Sequence, residues 1–279
     1  YDEEKRKHFL SFFTIVWSCG PIIAPFLGGY LESLFAWQAN FYFLAIYAGA
    51  LFIAELFFSG ETIRNVKKFN LKKTSMLYMV MLKNKAFVFG ILILGMAYST
   101  VMVFNIAGPF VVEHHFGFNA VTTGYCTLIL GISWMIGGII SKTFSKQNFS
   151  RKLKVSAFTQ IILLVLFVIA AAQLDQLYLL IIFAFLIHIV SGFIFTNYFT
   201  QNMIYFPSNA GIAGGLIGGL LYIITSIISF LISSSGEIAS TFDMSIRYLG
   251  VGIPLVLVIF YSTFLILKKQ QKKAKITTV

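Results

Sequence analysis

The chain of 279 residues is 58% hydrophobic and 11% charged. Soluble domains carry roughly a quarter of their residues as charges, so a soluble globular protein is excluded. The net charge of +11 does not point to nucleic acid, because Lys and Arg gather in loops between apolar blocks.

Those blocks have the length of about 20 residues that a bilayer core requires. Eight spans are predicted: 8–31, 37–58, 86–112, 120–141, 153–173, 176–199, 208–235 and 246–267. Each is continuously apolar rather than alternating, so the spans are helices and not barrel strands. Cys19 and Cys126 lie inside them and read as small packing residues, not as a disulfide framework. The chain opens on a polar stretch, Tyr1 to Lys7, with neither initiator Met nor signal peptide, and is expected to be a fragment whose upstream spans are missing.

The first span contains Gly20-Pro21-Ile22-Ile23-Ala24-Pro25-Phe26-Leu27-Gly28-Gly29. Such a run would break a helix in water. In lipid it gives a bent, thin helix that a neighbour can approach closely. The expectation is a sliding seam at Gly20, Pro21, Ala24, Pro25, Gly28 and Gly29; the plainer reading is an ordinary kinked contact. Glu55 in the second span lies about one turn from its end and reads as a snorkelling acid. The loop 59–85 is basic, and its Leu71, Met76, Leu77, Tyr78, Val80, Met81 and Leu82 predict a short amphipathic helix on the membrane surface.

Further along, the third span offers Tyr98 and Asn105 beside Pro109, an amide next to a kink that suits the wall of a pathway. Glu113-His114-His115 lacks the spacing of a metal site and reads as a surface loop. Gly131, Gly137 and Gly138 make the fourth span a close-contact helix and a neighbour for the first. Gln160 sits in a peripheral fifth span. His188 and Asn197, in the sixth, are pathway candidates; for His188 a bond between packed helices is the simpler reading. The seventh span has a doubled ridge, Ala210, Gly214 and Gly218 beside Gly211, Gly215 and Gly219, which calls for a close helix partner.

Alternating spans place 20 of the 21 basic residues on one side, in clusters at 5–7, 64–85, 142–154 and 268–275. The other side holds Arg247 with Glu32, Glu113, Asp175, Glu237 and Asp243. That bias predicts both ends of the chain in the cytoplasm. The chain divides into two spans (1–58), a basic linker (59–85), a six-span bundle (86–267) and a basic tail (268–279).

Four stretches then resemble the major facilitator superfamily, and within it the Bcr/CflA-type drug:proton antiporters. Gly20 with Ala24-Pro25-Phe26-Leu27-Gly28-Gly29 resembles the antiporter motif of the fifth helix, with Ala24 in place of Gly. Trp37-Gln38-Ala39-Asn40-Phe41 resembles the W-R-x-x-F opening of the sixth, and Glu61-Thr62 the P-E-T that ends it. Pro109-Phe110-Val111 with Phe116-Gly117 is similar to the S-P-F-V…F-G join of the seventh and eighth. The resemblance implies that these spans are helices five to twelve of an all-α twelve-helix carrier, with helices one to four absent. The proton-linked acid would lie in the absent part. Gly138-Ile139-Ile140-Ser141-Lys142 keeps a Gly and a base of the family's second basic motif but no Asp.

On that resemblance the expected activity is proton-coupled efflux of a small organic molecule by alternating access, in a bacterial-type inner membrane. The expected carrier is monomeric, with no cofactor, metal or nucleic acid. Tyr98, Phe104, Phe195 and Tyr198 are aromatics able to line a cavity for such a compound. A truncated, non-transporting remnant and, more remotely, a membrane-embedded enzyme are the alternatives.

Overall fold

The computed structural model of the chain describes residues 20, 23, 24, 26–60 and 70–277, with side chains through 265. Its elements are α1 (26–34), α2 (Gln38–Phe58), α3 (Leu71–Lys83), α4 (Lys85–Phe110), α5 (Ala120–Thr143), α6 (Phe149–Ala171), α7 (Leu177–Tyr205), α8 (Ala210–Ser234) and α9 (Thr241–Thr277). A π turn, Val111–His115, extends α4, and a 3-10 turn, Pro207–Asn209, precedes α8. Seven helices, α2 and α4 to α9, are long and apolar enough to cross a bilayer. They coincide with the second to eighth predicted spans; most of the first lies outside the described residues. The chain is an all-α polytopic membrane protein.

Asparagines set the helix starts. The Oδ1 atoms of Asn70, Asn119 and Asn148 accept the backbone N–H of Lys73 (3.0 Å), Thr122 (3.0 Å) and Arg151 (3.1 Å), satisfying a donor that the first turn leaves orphaned. The Asn148 cap moves the start of α6 to Phe149, ahead of the predicted 153, so Arg151, Lys152 and Lys154 stand on helix rather than loop. Similarly α7 runs on to Tyr205 and α9 begins at Thr241, because neither end holds a breaker where the apolar run stops.

Within the bundle α4 is central, packing on α7, α8 and α9, while α5 lies along α7 and α6 along α9. The core falls into two clusters, one around Phe87, Leu94, Trp134 and Phe195, the other around Phe104, Leu130, Phe167 and Tyr248. Lipid is as apolar as leucine, so helices in it associate by close packing and polar bonds rather than by hydrophobic expulsion. The closest approach is between α5 and α7. A Cβ on Gly192 would stand 2.5 Å from the carbonyl oxygen of Trp134, and one on Gly137 would strike the backbone of Ile189 and Phe193. Gly138 in turn faces Thr196 Oγ1.

Gly192 on α7 offers Gly137 and Gly138 a matching bare backbone, and the described end of the first span also lies against α5, at Tyr125. The doubled ridge of α8 meets no partner among the described residues, the resemblance placing that partner on an absent helix: side-chain positions on Gly211, Gly215, Gly218 and Gly219 would meet nothing within 4 Å, and Gly214 only Met203, at 3.9 Å. The reason is the face that α8 buries, Ala213, Ile217, Leu221 and Thr225 at helical spacing, which leaves the glycines turned outward.

Candidate substrate pathway

Tyr98, Met102, Asn105 and Pro109 fall at i, i+4, i+7 and i+11 of α4 and form one stripe, with Asn105 exposed. Pro109 has no N–H to give the carbonyl of Asn105, so the regular helix bond to that carbonyl is missing at the level of its side-chain amide. The Asn105 amide reaches only Met102 Sδ, at 4.0 Å. The helix then loosens into the π turn, where Phe116 N–H donates to Val111 O at 3.0 Å.

Around Tyr98 rings from three other helices gather. Its centroid lies 6.2 Å from that of Trp134 on α5, 6.4 Å from Phe195 on α7 and 6.1 Å from Tyr222 on α8, mostly edge to face. Trp134 and Phe195 are buried, Tyr98 is half-buried and Tyr222 is 51% exposed, so the group is a wall that opens outward. Trp134 and Tyr222 were missed by sequence reasoning. The available signal was a polar-tipped aromatic on each of the two glycine-bearing helices.

The other candidates lie elsewhere. His188 is fully buried, and its Nε2 lies 3.0 Å from the Tyr248 hydroxyl, which ties α7 to α9. Asn197 is buried and donates from Nδ2 to the Phe193 carbonyl four residues back on its own helix, at 2.8 Å. Both are therefore withdrawn from the open face: this part of α7 is enclosed by its neighbours, and each of the two side chains has one partner inside. Phe104 and Tyr198 are likewise core residues, and Gln160 donates to Ser191 Oγ at 3.2 Å. Asn202, unnoticed in the sequence, donates to the Phe87 carbonyl at 3.2 Å across the bare Gly90.

Of the predicted seam, Pro21 and Pro25 lie outside the described residues. Gly20 and Ala24 are helical and exposed. A Cβ on Gly28 would meet Asn40 Oδ1 of α2 at 3.4 Å, and one on Gly29 the Ala120 carbonyl of α5 at 3.6 Å. Phe26 and Tyr30 reach Tyr125 of α5, the former ring to ring at 5.5 Å, the latter hydroxyl to hydroxyl at 3.0 Å. The described end of the first span thus meets α5 near its start.

At that same end of the bundle, His115 Nε2 lies 2.7 Å from Asp175 Oδ2, while Asp175 Oδ1 accepts the Thr241 N–H at 3.0 Å. Partial burial pushes the Asp175 carboxyl up, but the bonds from Thr241 and His115 outweigh it and hold it below its ordinary value. Thr123 donates to Glu113 Oε1 at 2.9 Å. These residues tie loops together, and among the described residues no three His, Cys, Asp or Glu side chains converge as metal ligands.

Seven described helices long and apolar enough to cross a bilayer define the class, a polytopic membrane protein. The sequence profile of the Major Facilitator Superfamily matches residues 1–230, and the chain belongs to that superfamily, whose members carry small molecules across lipid bilayers and are not enzymes. A search of curated proteins returned no match.

Proposed function

We propose that the chain supplies the Tyr98–Asn105 wall of an alternating-access carrier that exports an amphipathic organic compound in exchange for protons. The observation that carries this reading is the convergence of four rings, from α4, α5, α7 and α8, beside the exposed Asn105. Rings bind flat apolar bodies, and an amide orients a polar end. Spans broken by Pro and Gly are where carriers place such sites. The antiporter branch is supported by the motif resemblance in residues 20–62 and 109–117, which also places the proton-carrying acid upstream. The division at 59–85, the cytoplasmic ends, the inner membrane and the monomeric state belong to the same proposal, supported by the loop charge bias.

The test is accumulation of a fluorescent amphipathic amine in inverted vesicles from cells expressing the full reading frame, with and without an uncoupler. Wild type accumulates the dye and loses it on uncoupling. Tyr98→Ala and Tyr222→Ala each lower kcat/KM about tenfold, as expected for the loss of a ring contact of ~1 kcal/mol or more. Uncoupler-insensitive accumulation refutes proton coupling. No transport from a full frame with four further upstream spans refutes the carrier reading, and a stop codon in their place marks a remnant.

A further inference from the structure

A second feature lies where the end of α5 meets the start of α6 and the flank of α7. A groove of about 650 Å³ opens there between Phe144, Arg151, Lys152 and Val155 on one side and Ile189 and Phe193 on the other. That is the size range of small-ligand sites. Its charge is one-sided. The sequence holds no Asp or Glu between Glu113 and Asp175, so none of the three helix segments that line the groove brings a carboxylate to it.

Lys152 is the informative residue. It is only 8% exposed, and the bond found for its Nζ is a long one, 3.4 Å, to the Phe144 carbonyl at the end of α5. An ammonium has three donors, and a lone carbonyl neither satisfies them nor neutralises the charge. Arg151 adds a second cation to the first turn of α6, the end where the helix dipole is already positive. Two cations at a positive helix end repel one another unless an anion stands between them.

The groove is also graded in polarity along α6. At its mouth are Gln147, Asn148 and Arg151; deeper in are Val155, Ser156 and Thr159. From Asn148 to Thr159 is about 16 Å at 1.5 Å per residue, the reach from a headgroup layer into hydrocarbon. Beyond it α6 presents Val155, Phe158 and Ile162, each more than half exposed, as an apolar track. A soluble anion has no use for such a track. An anionic phospholipid uses both parts, its phosphate against Arg151 and Lys152 and its acyl chain along α6.

We propose that this groove is a binding site for one anionic phospholipid of the basic-side leaflet. The lipid phosphate completes the charge of Lys152 and clamps the end of α5 to the start of α6. Neither the transport substrate nor the Tyr98 wall takes part, so the proposal stands or falls independently of the export reading.

The test uses the full chain, purified in detergent, delipidated, and returned to micelles containing either phosphatidylglycerol or phosphatidylcholine. Retained lipid is read by native mass spectrometry and protection by thermal unfolding. Phosphatidylglycerol should be retained about fivefold over phosphatidylcholine, and Arg151→Gln should remove most of that preference, as for one basic residue at a membrane surface. Lys142→Gln, a change at an exposed base of α5 outside the groove, should leave it intact. Val155→Trp, which blocks the track without changing charge, should also lower retention, so the proposal remains testable if Arg151→Gln misfolds. Equal retention of the two lipids, or equal losses in Arg151→Gln and Lys142→Gln, overturns it. Protection by inorganic phosphate alone that matches phosphatidylglycerol overturns the lipid in favour of a free anion.

Discussion

The bundle from α4 to α9 and the lone helix α2 are built from similarly apolar sequence, yet they pack in opposite ways. The bundle encloses Phe87, Phe104, Tyr198 and Tyr248 completely, whereas α2 buries no residue at all. The difference is not one of hydrophobicity. In the bundle, Gly137 and Gly192 let two backbones touch, and His188–Tyr248, Gln160–Ser191 and Asn202–Phe87 supply polar bonds between elements. On α2, Gly49 faces open space. An apolar helix in lipid gains a neighbour only where a small residue or a polar bond invites one.

The strongest way to break this comparison is to move bulk between two glycine positions. Gly137→Leu drives a side chain into the backbone of α7 and should cost about 3 kcal/mol, the upper range for overpacking. Gly215→Leu on the outward ridge of α8 should change the stability of this chain by less than ~0.5 kcal/mol, as a substitution at an open position does. Unfolding in mixed micelles of rising SDS content measures both. Similar losses at the two sites would mean that the glycine contacts do not hold the bundle. If the ridge receives a neighbour in the working carrier, Gly215→Leu keeps its stability and loses dye transport.

A smaller effect sharpens the polar half of the comparison. Tyr248→Phe removes one oxygen and strands Nε2 of the buried His188, and should cost about 1 kcal/mol, near the middle of the range for polar bonds between helices in lipid. The same unfolding assay, with His188→Leu and the double variant, separates the pair from its parts. A double variant whose loss equals the sum of the two singles would deny any coupling between α7 and α9 through this bond.

Helix number and placement were legible because a span of about 20 apolar residues has few other meanings. The ends were less so: Asn148 outweighed three nearby cations at α6, a contest between cap and charge that a hydropathy reading does not register. The site was half legible. Asn105 and Tyr98 stood out as candidates because an amide beside a proline, and a tyrosine one helix stripe away, are unusual inside a span. His188 and Asn197 looked equally unusual, and both proved to be enclosed, since polarity alone does not say which way a side chain turns. The contact of Gly137 with α7 was not legible, because the matching Gly192 stands alone in its span and draws no attention.

At the linked loops the expected effect is smaller again and has a sign. Asp175 is held below its ordinary value by Thr241 and His115, so its bonds contribute stability above that value and lose it as pH falls through the lowered one. Between pH 5 and 8 the contribution should therefore be flat, disappearing only in strong acid. Asp175→Asn should cost about 0.5–1 kcal/mol at neutral pH, typical of a helix cap with an exposed pair, and should flatten the acid limb of the unfolding curve. A loss between pH 6 and 7 instead would overturn the assignment to Asp175.

The smallest effect is expected at Glu55, the acid within α2. It is exposed on a helix that buries nothing, close to the end of its span, where a carboxylate reaches the interface by extending outward. Glu55→Gln should shift stability by less than ~0.5 kcal/mol and leave uncoupler-sensitive dye accumulation unchanged. The reason lies in its place one turn from the end of the span, where the carboxylate reaches water and keeps its charge. A variant that still accumulates dye but no longer responds to the uncoupler would place Glu55 on the proton path, and α2 would then line the pathway rather than flank it.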